Sequence, residues 1–111
     1  PGSESKLLKS LELGCAGIIT ATCNVTAGLS RKVYEDFNEK KEQTANEMLC
    51  NVRNTFEKFN LISGLHSFMS DQDEIYKNVL PPVSLLSEKD KLQLIEELKK
   101  LNFTLGSLKA A

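Results

Sequence analysis

Apolar and polar positions alternate along most of this chain with the period of amphipathic helices, and one segment breaks that rhythm. Leu7, Leu8 and Leu11 share a face opposite Lys6, Lys9, Ser10 and Glu12. This predicts a first helix with Ser3 as N-cap, Glu4 and Ser5 in the first turn, and Gly14 as the stop. The run Gly14-Cys15-Ala16-Gly17-Ile18-Ile19-Thr20-Ala21-Thr22-Cys23-Asn24-Val25 then departs from the helical period. It is β-branched, nearly continuous in apolar residues and bracketed by glycine, which predicts a strand buried on both faces over about Gly17 to Cys23. Asn24 to Gly28 reads as its exit loop. Leu29, Val33 and Phe37, with Tyr34 beside them, restore the helical period, and a break follows near Asn38 to Lys41.

The second half is helical in pattern. Ala45, Met48, Leu49, Val52, Phe56 and Phe59 recur at spacings of three and four. Leu61, Ile62, Leu65, Phe68 and Met69 predict a shorter helix, weakened by Gly64. Pro81-Pro82 forces an extended connection. Ser87-Glu88-Lys89-Asp90 reads as an N-cap with an acidic residue at the third helical position, opening a last helix on Leu92, Ile95, Leu98 and Leu101. The tail after Phe103 carries no pattern. One strand among helices leaves its backbone N–H and C=O groups without neighbours, at about 1–3 kcal/mol for each buried orphan. The strand therefore calls for partners outside these 111 residues.

A formal charge of −1 gives no electrostatic reason to expect nucleic acid or an anionic membrane surface as a partner. Lysines alternate with glutamates in Glu88-Lys89-Asp90-Lys91 and Glu96-Glu97-Leu98-Lys99-Lys100, the pattern of a solvated helix face. No apolar run reaches the roughly 18 residues of a membrane span, and no basic-then-apolar signal opens the chain. The odd count of three cysteines, in apolar contexts, points to reduced, buried thiols in a cytoplasmic protein. Cys15, Cys23, Cys50 and His66 match no zinc spacing, so no metal site is expected. His66, the one histidine, has no partner fixed by sequence and reads as a surface or packing residue. Asn24-Val25-Thr26 and Asn102-Phe103-Thr104 fit the glycosylation acceptor pattern, which has no force without secretion. Glu96-Glu97 and Asp73-Glu74 are not placed as a glycosidase dyad. Two loops remain as candidates for chemistry: Pro1-Gly2-Ser3-Glu4 before the first helix, and Ile19 to Asn24 at the end of the strand.

The order of these motifs resembles the dihydrodipicolinate synthase/N-acetylneuraminate lyase family. Gly2-Ser3-Glu4 is similar to its "G-x-[DE]" loop, and Gly14 to Asn24 to its "G-x-x-G-x-I-[ST]-x-x-x-N" eighth strand and exit. Asn78-Val79-Leu80-Pro81-Pro82-Val83 and Leu86-Ser87-Glu88 resemble the connection before its final helix, with Leu80 where arginine is usual and His66 where lysine is common. The resemblance covers about Gly2 to Asn102. It implies an α/β parent, a (β/α)8 TIM barrel with a C-terminal helical extension. This chain would be a mostly α-helical part of it with one barrel-type strand. Residues 1–39 would be the last part of the barrel and 40–103 the helical extension. Residues 104–111 would be a tail of the kind a cloning vector adds.

In activity, the resemblance implies a pyruvate-dependent Schiff-base aldolase or lyase acting on a 2-keto acid. Its cofactor is none beyond a covalent lysine imine, and that lysine lies on the sixth strand, outside this chain. Catalytic residues are therefore expected to be absent here. Substrate-binding residues carried over by the resemblance are Gly2, Ser3 and Glu4 of the loop, with Ile19 and Ala21 on one side of the strand. Alanine at 21, where the sialate-cleaving branch has a serine that contacts substrate, argues against that specificity. The implied partners are pyruvate or a 2-keto acid, the remaining barrel segments and further copies of the protein in a homotetramer. The alternative is a helical interaction or scaffold module derived from the family without catalysis, and retention of Ile18, Ile19 and Val25 speaks against it.

Overall fold

The protein is described by a computed structural model covering residues 1–104; the expected tail falls almost wholly outside the described residues. Helix α1 spans Leu7–Glu12 and is led in by a 3-10 turn over Glu4–Lys6. Ser3 caps that turn as expected, its hydroxyl accepting the Ser5 N–H at 3.4 Å. Gly14 ends the helix with φ +93°, a conformation open to a residue without Cβ.

The expected strand is not formed: there is no β-strand among the described residues. Residues 15–20 lie outside any helix, and Ile19 N–H donates to the Pro1 carbonyl at 3.2 Å. A strand is defined by its ladder, and the described residues hold no neighbour to complete one. Helix α2 spans Cys23–Asn38 and so absorbs the expected exit loop. Asn24, Thr26 and Gly28 favour turns, but Val25, Leu29 and Val33 recur every four residues. Val25 and Val33 are fully buried. Packing of that stripe outweighs the local turn preference.

Helix α3 spans Asn46–Glu57 and helix α4 Leu61–Met69. Asn60 caps α4, its Oδ1 accepting the Ser63 N–H at 3.0 Å. A 3-10 turn over Glu74–Lys77 and an irregular stretch through the cis Pro81-Pro82 bond lead to helix α5, Glu88–Lys100. Ser87 caps α5 as its sequence predicts, accepting the Asp90 N–H at 3.2 Å. The apolar stripe of α5 is shifted from expectation: Leu94 and Leu98 are buried, whereas Leu92 is 65% exposed.

Two apolar clusters make the core. Val25, Val52, Phe56, Leu65, Leu94, Leu98 and Phe103 join α2, α3, α4 and α5. Leu7, Leu11, Val33, Ala45 and Leu49 join α1, α2 and α3. Phe56 meets Phe68 edge to face with centroids 5.8 Å apart, a favoured aromatic geometry. Where α2 ends, Asp36 ties the loop to α3. Its Oδ2 accepts the Thr44 hydroxyl at 2.7 Å and the Thr44 N–H at 3.1 Å.

Candidate functional site

The two loops singled out by sequence meet. The bond from Ile19 N–H to the Pro1 carbonyl sets residues 1–3 beside residues 17–19, and a Cβ on Gly2 would stand 3.6 Å from the Ile19 carbonyl oxygen. Gly2 and Ala21 are exposed, Ser3 is half-buried, and the Ile19 side chain is 93% exposed. A large β-branched side chain left this open gains nothing from water. Its neighbour Thr20 turns the other way, into the helices.

Glu4 parts company with this exposed set. Its carboxylate is fully buried and turned inward, so the structure separates it from Gly2, Ser3, Ile19 and Ala21. The physical reason is that a buried carboxylate needs donors, and three threonines and an arginine supply them. The Thr20 hydroxyl donates to Oε1 at 2.5 Å, and the Thr22 hydroxyl donates to Oε2. The Thr26 hydroxyl stands 3.1 Å from Oε2 and 3.0 Å from the Thr22 carbonyl, sharing one proton between them. Arg53 of α3 brings Nη1 within 3.3 Å of Glu4 Oε1, 2.8 Å of Thr20 Oγ1 and 3.0 Å of Thr22 Oγ1. Its Nε donates to Glu57 Oε1 at 2.7 Å. Arg53 was missed by the sequence reading. Its signal was there: it stands four residues after Leu49 and three before Phe56, on the core face of its helix.

Beside Ala21 a groove of about 340 Å³ opens between the start of α2, α4 and the Glu74–Lys77 turn. Ile62, Leu65 and Met69 give it apolar walls, and Asn24, His66 and Tyr76 complete the lining. His66 Nδ1 lies 2.7 Å from the Tyr76 carbonyl oxygen. A carbonyl can only accept, so Nδ1 carries the proton and Nε2 is the acceptor of the neutral ring. Asn24 Nδ2 donates to the Ala21 carbonyl at 2.8 Å, which leaves its Oδ1 as an acceptor. His66 thus has a partner that the sequence did not reveal.

The cysteines are free thiols, and one departs from expectation: Cys15 is exposed, because it sits in the irregular stretch instead of flanking a buried strand. Cys23 and Cys50 are half-buried. Burial, followed by the nearby charge of Glu4, pushes the Cys50 thiol above its ordinary pKa of 9.0. At the far end of α2, Lys32 Nζ stands 2.9 Å from Asp36 Oδ1. Contact with Lys32, and then the Thr44 hydroxyl, lower the Asp36 pKa from 3.8 to about 2 against the cost of desolvation. Among the described residues, no three His, Cys, Asp or Glu side chains converge as metal ligands would. No helix among them is long and apolar enough to cross a membrane.

Comparison with known proteins matches this chain to one family and one fold. The family model of the dihydrodipicolinate synthetase family covers residues 1–101. Among solved structures, dihydrodipicolinate synthase from Agrobacterium tumefaciens str. C58 is similar with a TM-score of 0.61 at 17% identity. That match takes in 90% of this chain and 33% of the synthase, so the chain spans about a third of that protein's length. No curated protein matches the chain by sequence. With nearly all of its length covered by the family model, the chain belongs to the dihydrodipicolinate synthetase family.

Proposed function

We propose that this chain is the C-terminal part of a pyruvate-handling Schiff-base aldolase or lyase built on a (β/α)8 barrel, and that it supplies one edge of the substrate site but not the lysine. The observation that carries this reading is the unpartnered edge. Residues 15–20 leave Ile19 93% exposed in a chain whose family model runs from its first residue to residue 101. Upstream barrel strands laid against residues 17–21 would complete the missing ladder and cover Ile19. A barrel of this kind needs about 250 residues, well beyond this chain's length.

On this reading Gly2, Ser3, Ile19 and Ala21 line the pyruvyl end of a 2-keto acid. Gly2 and Ile19 offer backbone at close range, and Ala21 leaves room. The rest of the substrate extends into the groove past Asn24 and His66, whose acceptor atoms suit a hydroxyl or amine. Covalent chemistry on an upstream lysine would use the protonated imine as an electron sink, which splits a difficult carbon–carbon step into easier ones. Free thiols, including the exposed Cys15, fit a reducing, cytoplasmic compartment. A homotetramer belongs to the same reading.

The second reading is a scaffold module without catalysis, and the exposed Ile19 counts against it, since a free-standing module gains from a polar residue there. Amide exchange in the polypeptide expressed from its whole reading frame separates the two. Protection across Gly17 to Ala21 that deepens on adding pyruvate supports the lyase. Unprotected amides with and without pyruvate support the module.

A further inference from the structure

The cluster around Glu4 does more than satisfy a buried charge. It ties together three segments far apart in sequence: the Gly2–Ser3 loop through Glu4, the run from residue 20 into α2 through Thr20, Thr22 and Thr26, and α3 through Arg53. Two of these adjoin the exposed edge directly. Glu4 follows Ser3, Thr20 lies between Ile19 and Ala21, and Thr22 follows Ala21. Arg53 alone comes from the part of the chain expected to be a separate helical extension. Its Nη1 reaches three oxygens on the two edge segments, and Glu57 fixes its Nε from the next turn of α3.

We propose that Arg53 is a positioning residue for the substrate edge. It sets the spacing of Gly2–Ser3 against Ile19–Ala21 through Glu4, Thr20 and Thr22, so that the helical region governs the geometry of the site without touching substrate. This rests on the lyase reading for its effect on substrate, but the positioning itself can be read without catalysis.

A Glu–Arg pair at this depth pays a desolvation penalty that apolar side chains of similar volume avoid, so its presence is poorly explained by stability. What a charged fork supplies that apolar packing does not is direction. Two N–H groups on one nitrogen, shared among three oxygens on two segments, allow only a narrow range of relative placements. The Pro1–Ile19 backbone bond, at 3.2 Å, spans the same two segments and reads out their spacing.

The test uses the polypeptide expressed from its whole reading frame, with the double variant Glu4→Gln/Arg53→Met. This removes both charges together, because Arg53→Met alone would strand a buried carboxylate and threaten folding. Leu94→Val, which weakens the core on α5 away from both the cluster and the groove, serves as the control for general loss of stability. Exchange of the Ile19 amide, compared at matched global stability, is expected to accelerate about tenfold in the double variant and to stay at the wild-type rate in Leu94→Val. Arg53→Lys keeps the charge but loses the fork, and is expected to fall between wild type and the double variant. Borohydride trapping with pyruvate gives the second readout: the double variant should need about tenfold more pyruvate for half-maximal trapping, with the plateau unchanged. An Ile19 amide that exchanges at the wild-type rate in the double variant overturns the proposal. So does a loss of trapping that Leu94→Val reproduces at equal stability. If wild type itself traps no pyruvate, the lyase reading fails and the amide measurement alone decides the positioning role.

Discussion

Gly64 sits in the middle of α4, where glycine costs about 1 kcal/mol relative to alanine. A methyl group there would meet Phe56 Cδ1 at 3.6 Å, Leu94 Cδ2 at 3.7 Å and Phe59 Cβ at 4.0 Å. All three are ordinary van der Waals distances, so Gly64→Ala fits without displacing α3 or α5. The substitution also reduces the freedom of the unfolded chain, worth roughly 0.4–1 kcal/mol and overlapping with the helix term. Together these give a stabilisation of about 1 kcal/mol, or a rise in Tm of roughly 4 °C. Gly64→Val reverses the sign. Its two methyls must extend from the same Cβ toward Phe56 and Leu94, and overpacking of that kind costs about 1–3 kcal/mol. Urea denaturation followed by far-UV circular dichroism measures both. A destabilisation of 1 kcal/mol or more by alanine would refute the packing of α4 against α3 and α5 described above.

Three further outcomes follow from particular contacts. Asp36 has its carboxyl lowered from 3.8 to about 2 in the folded chain by Lys32 and Thr44. Its stabilising effect is therefore complete above the unfolded value and lost as pH falls from about 4 toward 2; Asp36→Asn should flatten the acid limb of a pH–stability profile over that window. Among the thiols, exposed Cys15 should react first with a neutral alkylating reagent, and Cys50, its pKa raised by burial and by Glu4, more slowly. Equal rates by peptide mass mapping would count against the burial of Cys50. Ala21→Leu should raise the KM for the keto acid with little change in Tm. Thr20→Val, which takes a donor from buried Glu4, should cost about 1–3 kcal/mol of stability by urea denaturation.

The helices were legible where one signal dominated. The long stripe from Ala45 to Phe56, the Ser87 cap and the Gly14 stop each lie where local chemistry puts them. Residues 17–28 were not legible because two signals conflict there. β-branched residues and glycine argue for strand and loop, while Val25, Leu29 and Val33 argue for helix, and packing of the buried valines wins over the first residues of α2. The strand itself depends on neighbours, which no local pattern can supply. Of the candidate site, Ile19 and Ala21 are exposed with Thr20 turned inward between them, the alternation of an extended segment, and Gly2 on a separate loop is exposed as well. Glu4 went inward because Thr20, Thr22, Thr26 and Arg53 converge on it, and convergence of distant segments is invisible to spacing along one. An arginine on the apolar face of α3 was the available clue, since a buried charge implies a partner.

On the reading proposed above, this chain gives a Schiff-base lyase one edge of its site and none of its covalent chemistry. Borohydride trapping with pyruvate, with the modified lysine located by peptide mass mapping, tests it most directly. The chain of 111 residues alone should form no stoichiometric adduct, and the polypeptide from the whole reading frame should carry one, on a single lysine that precedes residue 1. An adduct on a lysine within these residues, or none on the whole polypeptide, would contradict the account.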